Sequence, residues 1–158
     1  MTDERIEVQR TIEADPATIF AVISDPQGHV RIDSSGMLMS AEGERPTAVG
    51  DTFVVHMDRE ALNDMPLGKY DVTILITTLE PDREIAWTIG GNYDIGHVYG
   101  YRLEAIDGGT LVTSYYDWST IADNWRELGI FPVIPESALR ATLGILARTV
   151  QEPGGATA

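Results

Sequence analysis

The sequence predicts an α+β domain in which a curved antiparallel sheet of about seven strands wraps around one long C-terminal helix, with two short helices after the first strand. Three observations predict it. Apolar residues alternate with a period of two over most of the chain, the spacing of half-buried strands. The separators are short and rich in Gly, Pro, Asn and Asp, which leaves no room for the crossover helices that parallel strands need. Near the C-terminus the period changes to steps of three and four at Leu139, Leu143, Leu146 and Val150. That stripe must be buried, and the curved sheet is the only surface large enough to cover it.

The first strand runs from Arg5 to Glu13, where Ile6, Val8 and Ile12 alternate with polar residues and Arg10 interrupts the apolar face. Asp15-Pro16 supplies an N-cap and a first-turn proline. Ile19, Phe20, Val22 and Ile23 then follow at helical spacing until Asp25-Pro26. A second helix covers Gln27 to Ser34 and stops at Ser35-Gly36, since glycine tolerates the left-handed conformation of a helix end. Strands recur at Met37–Glu42, Asp51–Asp58, Lys69–Leu79, Glu84–Ile89, Gly96–Ile106 and Thr110–Ser119. Turn-rich segments separate them, among them Gly43 to Gly50, Gly90-Gly91-Asn92 and Asp107-Gly108-Gly109. A short helical stretch at Asn124–Leu128 ends at Gly129, and the last helix follows Pro135 and reaches about Gln151. Gly144 inside it costs ~1 kcal/mol against alanine, so it marks a close approach or space left for a ligand.

A length of 158 residues and 43% hydrophobic content fit one domain over residues 1–151, with 152–158 a disordered tail. Absence of cysteine removes disulfides, thiolate metal sites and cysteine nucleophiles together. A net charge of −14 opposes nucleic acid and anionic lipid, both of which bind proteins through clustered Lys and Arg. No apolar run approaches the ~20 residues of a membrane span, and the acidic opening is unlike a signal peptide, so a cytoplasmic protein is expected. Ten of the eleven basic residues are Arg, which fits a GC-rich bacterial genome.

The segments Ile6 to Pro16 and Phe20 to Pro26, with the hairpin from Tyr101-Arg102-Leu103 to Gly109-Thr110, resemble the polyketide cyclase/dehydrase branch of the START and birch-pollen-allergen superfamily. The resemblance extends from about Glu4 to Val150. It implies the helix-grip fold, with a cavity between the sheet and the last helix. It assigns no catalytic residue, because members range from lipid carriers and hormone receptors to cyclases, and their catalytic positions differ.

Strand alternation then gives the cavity wall. Phe53, Val55 and Met57 share a face, as do Tyr70, Val72, Ile74 and Ile76, and Ile85, Trp87 and Ile89. His97, Tyr99, Tyr101 and Leu103 form the next set, and Val112, Ser114, Tyr116 and Trp118 the last, although a one-residue register error would reverse it. The candidate ligand-binding residues are Phe53, Val55, Tyr70, Val72, Ile74, Trp87, Tyr99, Tyr101, Tyr116 and Trp118 from the sheet, with Leu139 and Leu143 from the last helix. Such rings serve either as core or as the wall of a pocket for a molecule with few polar groups. Arg10 is either salt-bridged or an anchor for an anionic ligand group. His29 and Asp33, at i and i+4, form an acid/base pair, half a metal site or a solvated face. Two side chains are too few for zinc, so no metal or cofactor is expected.

Two functional classes follow, and a third from charge alone. The first is binding of a small, largely apolar molecule such as a lipid, sterol, polyketide or aromatic. The alternative is a polyketide aromatase/cyclase or dehydratase in which His97, Tyr99 or Tyr101 polarises a carbonyl and moves a proton. The third is a protein-interaction module with an incidental cavity. An apolar interior favours the carrier, a His/Tyr/Asp cluster favours catalysis, and a filled cavity favours the interaction module.

Overall fold

A computed structural model describes residues 4–63, 66–90 and 95–151. The expected tail at 152–158 and the Gly91-Asn92 part of one turn lie outside the described residues. Strand β1 (Arg5–Ile12) is followed by helices α1 (Pro16–Ile23) and α2 (Pro26–Ile32). Strands β2 (Leu38–Glu42), β3 (Thr52–Asp58), β4 (Lys69–Glu80), β5 (Glu84–Gly90), β6 (Val98–Ile106) and β7 (Gly109–Asp117) come next, and α3 (Asp123–Arg126) and α4 (Glu136–Gln151) close the chain. The seven strands form one antiparallel sheet in the order β1-β7-β6-β5-β4-β3-β2. This is the expected helix-grip architecture.

The local starts and stops have identifiable causes. Asp15 caps α1 through the Thr18 amide at 2.8 Å, and Asp25 caps α2 through Gln27 at 3.0 Å, each with proline in the first turn. Gly28 lets the two helices touch, since a Cβ there would meet the Val22 carbonyl oxygen at 1.8 Å. Register irregularities in the β2/β3 and β4/β5 pairs interrupt the ladders, and such bulges bend a sheet.

The expected ends need three corrections. Helix α2 stops at Ile32 and not Ser34, because Asp33 turns its carboxylate onto the Ser35, Gly36 and Leu38 amides and closes the loop into β2. Strand β6 starts at Val98, so His97 precedes it; Gly96, at φ +95°, breaks the extended run, and Thr88 Oγ1 ties down the His97 carbonyl at 2.6 Å. Strand β7 ends at Asp117, whose carboxylate accepts from the Ser119 amide and hydroxyl and turns the chain. A 3-10 turn at Glu60–Leu62 was not expected.

The concave face carries the core. Across the strands Trp87 pairs with Ile76 and Tyr99, and Tyr99 with Tyr116, so these residues share that face. Tyr101 pairs with Ile85 and Ser114, and Leu103 with Val112. Helix α4 buries Leu139, Leu143, Leu146 and Ala147 against this surface. Tyr115, on the opposite face of β7, is buried as well. Its ring lies over Gly100, where an added Cβ would come within 2.3 Å of it. Its hydroxyl donates to Glu84 at 2.6 Å, and the Arg5 and Arg102 guanidinium groups stand 4.3 and 5.3 Å from the ring centre.

Two substitutions at adjacent positions of α4 test this packing in opposite directions. Leu143 is 1% exposed, so Leu143→Asp drives a carboxylate into the core and lowers stability by several kcal/mol. At Gly144 only Arg10 Nη1, at 3.7 Å, stands near the place of a Cβ, so Gly144→Ala raises stability by up to ~1 kcal/mol. Urea denaturation measures both. An unchanged midpoint for Leu143→Asp refutes the helix face.

Candidate functional site

Helix α4 docks towards the β1 and β7 side of the concave face, and the remainder is roofed by α2 and the 127–134 segment. Beneath that roof lie two adjoining lobes of about 130 and about 240 Å³, which share Met37, Met57, Ile89, Tyr99 and Ile134 as walls. The smaller, here the helix lobe, is closed by the end of α2 and the first turns of α4. The larger, the loop lobe, is closed by Phe131, Val133 and Ile134. Leu67, Leu128 and Ile130 line the loop lobe while staying 37–58% exposed, so its rim is apolar.

The helix lobe holds the polar groups. His29 is buried, packs edge-on against Trp87 at 4.7 Å and Phe53 at 5.2 Å, and donates Nε2–H to the Ile23 carbonyl at 2.8 Å. Burial holds its pKa down to about 4, so the ring is neutral with Nδ1 as an acceptor. Asp33 borders the same lobe with its carboxylate spent on the loop amides and the Ser35 hydroxyl. Ser34 donates to the Ala138 carbonyl and contacts the Thr142 hydroxyl, both at 2.9 Å, which ties the end of α2 to α4. Tyr101 is 7% exposed, and burial with the nearby Asp33 charge raises its pKa well above the ordinary value.

Beside the loop lobe the ring hydroxyls belong to a different network, which runs from its wall into the core. The Tyr116 hydroxyl and His97 Nδ1 lie 2.8 Å apart. Tyr99 stacks on Tyr116 at 4.4 Å between centroids, and burial first, then the Tyr116 hydroxyl, raises its pKa strongly. His97 is 2% exposed and held at about 4 by burial, and its Nε2 has no partner and almost no accessible surface. Neither nitrogen of His97 is offered to the cavity. Arg59 is a buried cation on this wall, 3.4 Å from Met37 Sδ.

Of the residues expected from alternation, Val55, Ile74, Trp87, Tyr101 and Leu139 line the helix lobe, Tyr70 and Val72 the loop lobe, and Tyr99 both. Phe53, Tyr116, Trp118 and Leu143 reach neither lobe and pack in the surrounding core. Arg10 is exposed, its guanidinium beside Gly144. His29 and Asp33 both border the helix lobe, but each is engaged with backbone and not with the other. Arg59 was missed, although it continues the alternation Phe53, Val55, Met57 by one more step. Ile95, Phe131 and Ile134 come from irregular segments that carry no period. Among the described residues no cluster of three His, Asp or Glu side chains could hold a metal, and no helix is long and apolar enough to cross a membrane.

Residues 3–151 match the family model described as polyketide cyclase/dehydrase and lipid transport. A Mycobacterium tuberculosis protein, Rv0088, is 28% identical over 115 residues, which is 70% of this chain and 47% of that protein, so the chain spans about half the length of this relative. Among solved structures, CV1439 of Chromobacterium violaceum superposes with a TM-score of 0.69 at 17% identity, covering 94% of this chain and 98% of that one. An AHSA1-like protein from Aeromonas hydrophila gives 0.61 at 18% identity, with 95% and 94% covered. At these identities the structures share the fold.

The three histidines have separate environments, and this sets their pH behaviour. His29 and His97 are held near 4 in the folded chain, below the ordinary 6.5, so the unfolded chain takes up their protons first. Their contribution to stability is complete above pH 6.5 and is lost as pH falls towards 4. His56 has the opposite sign, because Asp71 at 2.6 Å and Glu42 at 2.7 Å raise its pKa; its contribution is present below 6.5 and lost as pH rises through the folded value. In an NMR titration of the three Cε1–H signals, His56 should show the highest midpoint, with His29 and His97 neutral until about pH 4. A His97 midpoint near 6.5 refutes its burial.

Proposed function

Because the chain belongs to the polyketide cyclase/dehydrase and lipid transport family, we propose that it binds one small, largely apolar molecule in the two-lobed cavity between sheet and roof. The observation that carries this reading is the unfilled space itself. The loop lobe alone, about 240 Å³, exceeds the ~150 Å³ of an engineered apolar cavity that takes up benzene. Natural cores leave few voids larger than a water molecule, so a space of this size beneath an otherwise packed sheet suits a ligand. The exposed Leu67, Leu128 and Ile130 give an apolar entrance on the same side.

A second reading, acid/base catalysis on a bound carbonyl compound, draws on one observation: His29, Asp33 and Tyr101 border the same lobe. Its weakness is the chemistry of these groups. A histidine with a pKa of about 4 is a poor base near neutrality, and the Asp33 oxygens already accept four hydrogen bonds. Binding therefore ranks first.

An uncharged naphthalene dye tests it. Such a dye should bind one to one and quench Trp87, whose ring lines the helix lobe. Ile89 borders both lobes, so Ile89→Phe should weaken dye binding about tenfold or more while the melting temperature stays within a few degrees, because the added atoms enter free space. No dye binding by the wild-type chain, together with no retained small molecule in native mass spectrometry, overturns the reading.

A further inference from the structure

We propose that the helix lobe recognises an uncharged carbonyl oxygen on an otherwise apolar ligand, with the Tyr101 hydroxyl as its principal donor. This rests on the cavity being a binding site, as argued above, and adds what the ligand must carry and what it must not.

Most side-chain donors of the lobe are engaged within the protein, the Tyr99 hydroxyl with Tyr116 among them. Ser34 spends its proton on the Ala138 carbonyl, which leaves its oxygen to accept from Thr142. Ser35 donates to Asp33, and His29 Nε2–H donates to Ile23. Tyr101 has no hydrogen-bond partner among the described residues, although 93% of it is removed from solvent on a lobe wall, the complement of its 7% exposure. Its hydroxyl is not among the fully buried polar atoms, so the donor keeps accessible surface that a ligand acceptor can occupy. Trp87 is its neighbour, with ring centroids 5.9 Å apart, and its indole N–H also lacks a partner among the described residues. Two donors without a protein partner among the described residues therefore border one lobe, and a carbonyl oxygen can accept from either.

The charge of the ligand follows from Asp33. Its carboxylate acts electrostatically on the Tyr101 hydroxyl, so a second anion placed there would be repelled at close range. Tyrosine itself stays protonated, since burial and Asp33 both disfavour its anion. An acid is excluded from this lobe and a ketone, aldehyde or ester is accepted.

Three shape-matched probes separate the possibilities on the full chain at pH 7: 2-acetylnaphthalene, 2-ethylnaphthalene and 2-naphthoate. By tryptophan quenching, the ketone should bind about tenfold tighter than the hydrocarbon, and the carboxylate weakest of the three. Tyr101→Phe removes only a hydroxyl, and should bring ketone and hydrocarbon to within about twofold without changing the hydrocarbon's affinity. As an independent readout, the infrared carbonyl stretch of the bound ketone should move to lower frequency in the wild type and not in Tyr101→Phe. Equal binding of ketone and hydrocarbon by the wild type overturns the anchor while the binding cavity stands. Tightest binding by naphthoate overturns the uncharged assignment. If none of the three binds, the proposed function falls together with this inference.

Discussion

A seven-stranded sheet is ~30 Å across, whereas a helix with its side chains is ~10–12 Å wide. One helix therefore cannot cover the concave face of this chain, and the rest of the structure is an answer to that mismatch. Helix α4 sits towards β1 and β7, where Leu139, Leu143, Leu146 and Ala147 are buried. The far half of the face falls to α2 and to an irregular segment between α3 and α4. These thinner covers do not fill the space beneath them, which is why the lobes lie there and not under the middle of α4.

That division also explains how much of the molecule could be read from residues alone. Strand alternation placed Trp87, Tyr99 and Tyr101 on the concave face because each strand has one solvent side and one core side over most of its length. The last strand was harder for a physical reason: Tyr115 and Tyr116 are both buried, one under the convex salt-bridge cluster and one in the core. Alternation in apolarity is lost when both faces are covered. The same rule, extended one step past Met57, would have found Arg59. Nothing periodic marks Ile95, Phe131 or Ile134, since irregular backbone places side chains without a repeat, and so one wall of the loop lobe was illegible.

The charge distribution has a matching logic. The sequence carries a net charge of −14, while among the described residues the lobe walls hold few charges: two histidines are unprotonated, the tyrosines are protonated, and Asp33 and the buried Arg59 are the charged groups. Surface carboxylates keep such a chain dispersed without touching the interior. His56 belongs to that exterior, clasped between Asp71 and Glu42 on neighbouring strands.

The convex cluster around Tyr115 has a mechanical consequence. Its ring and hydroxyl, with Arg5, Glu7, Arg102, Glu84 and Asp117, link side chains of β1, β5, β6 and β7 across the back of the sheet. Exposed ion pairs of this kind are individually weak, but here they join four strands that are already paired by backbone. These contacts add cross-strand links at the back of the cup that the roof lacks. The roof is braced less: the end of α2 is held to α4 by the Ser34 hydroxyl, and the 127–134 segment has no sheet or helix of its own. If the cavity takes guests of different size, this asymmetry directs the adjustment to the roof, with the strand register left as it is.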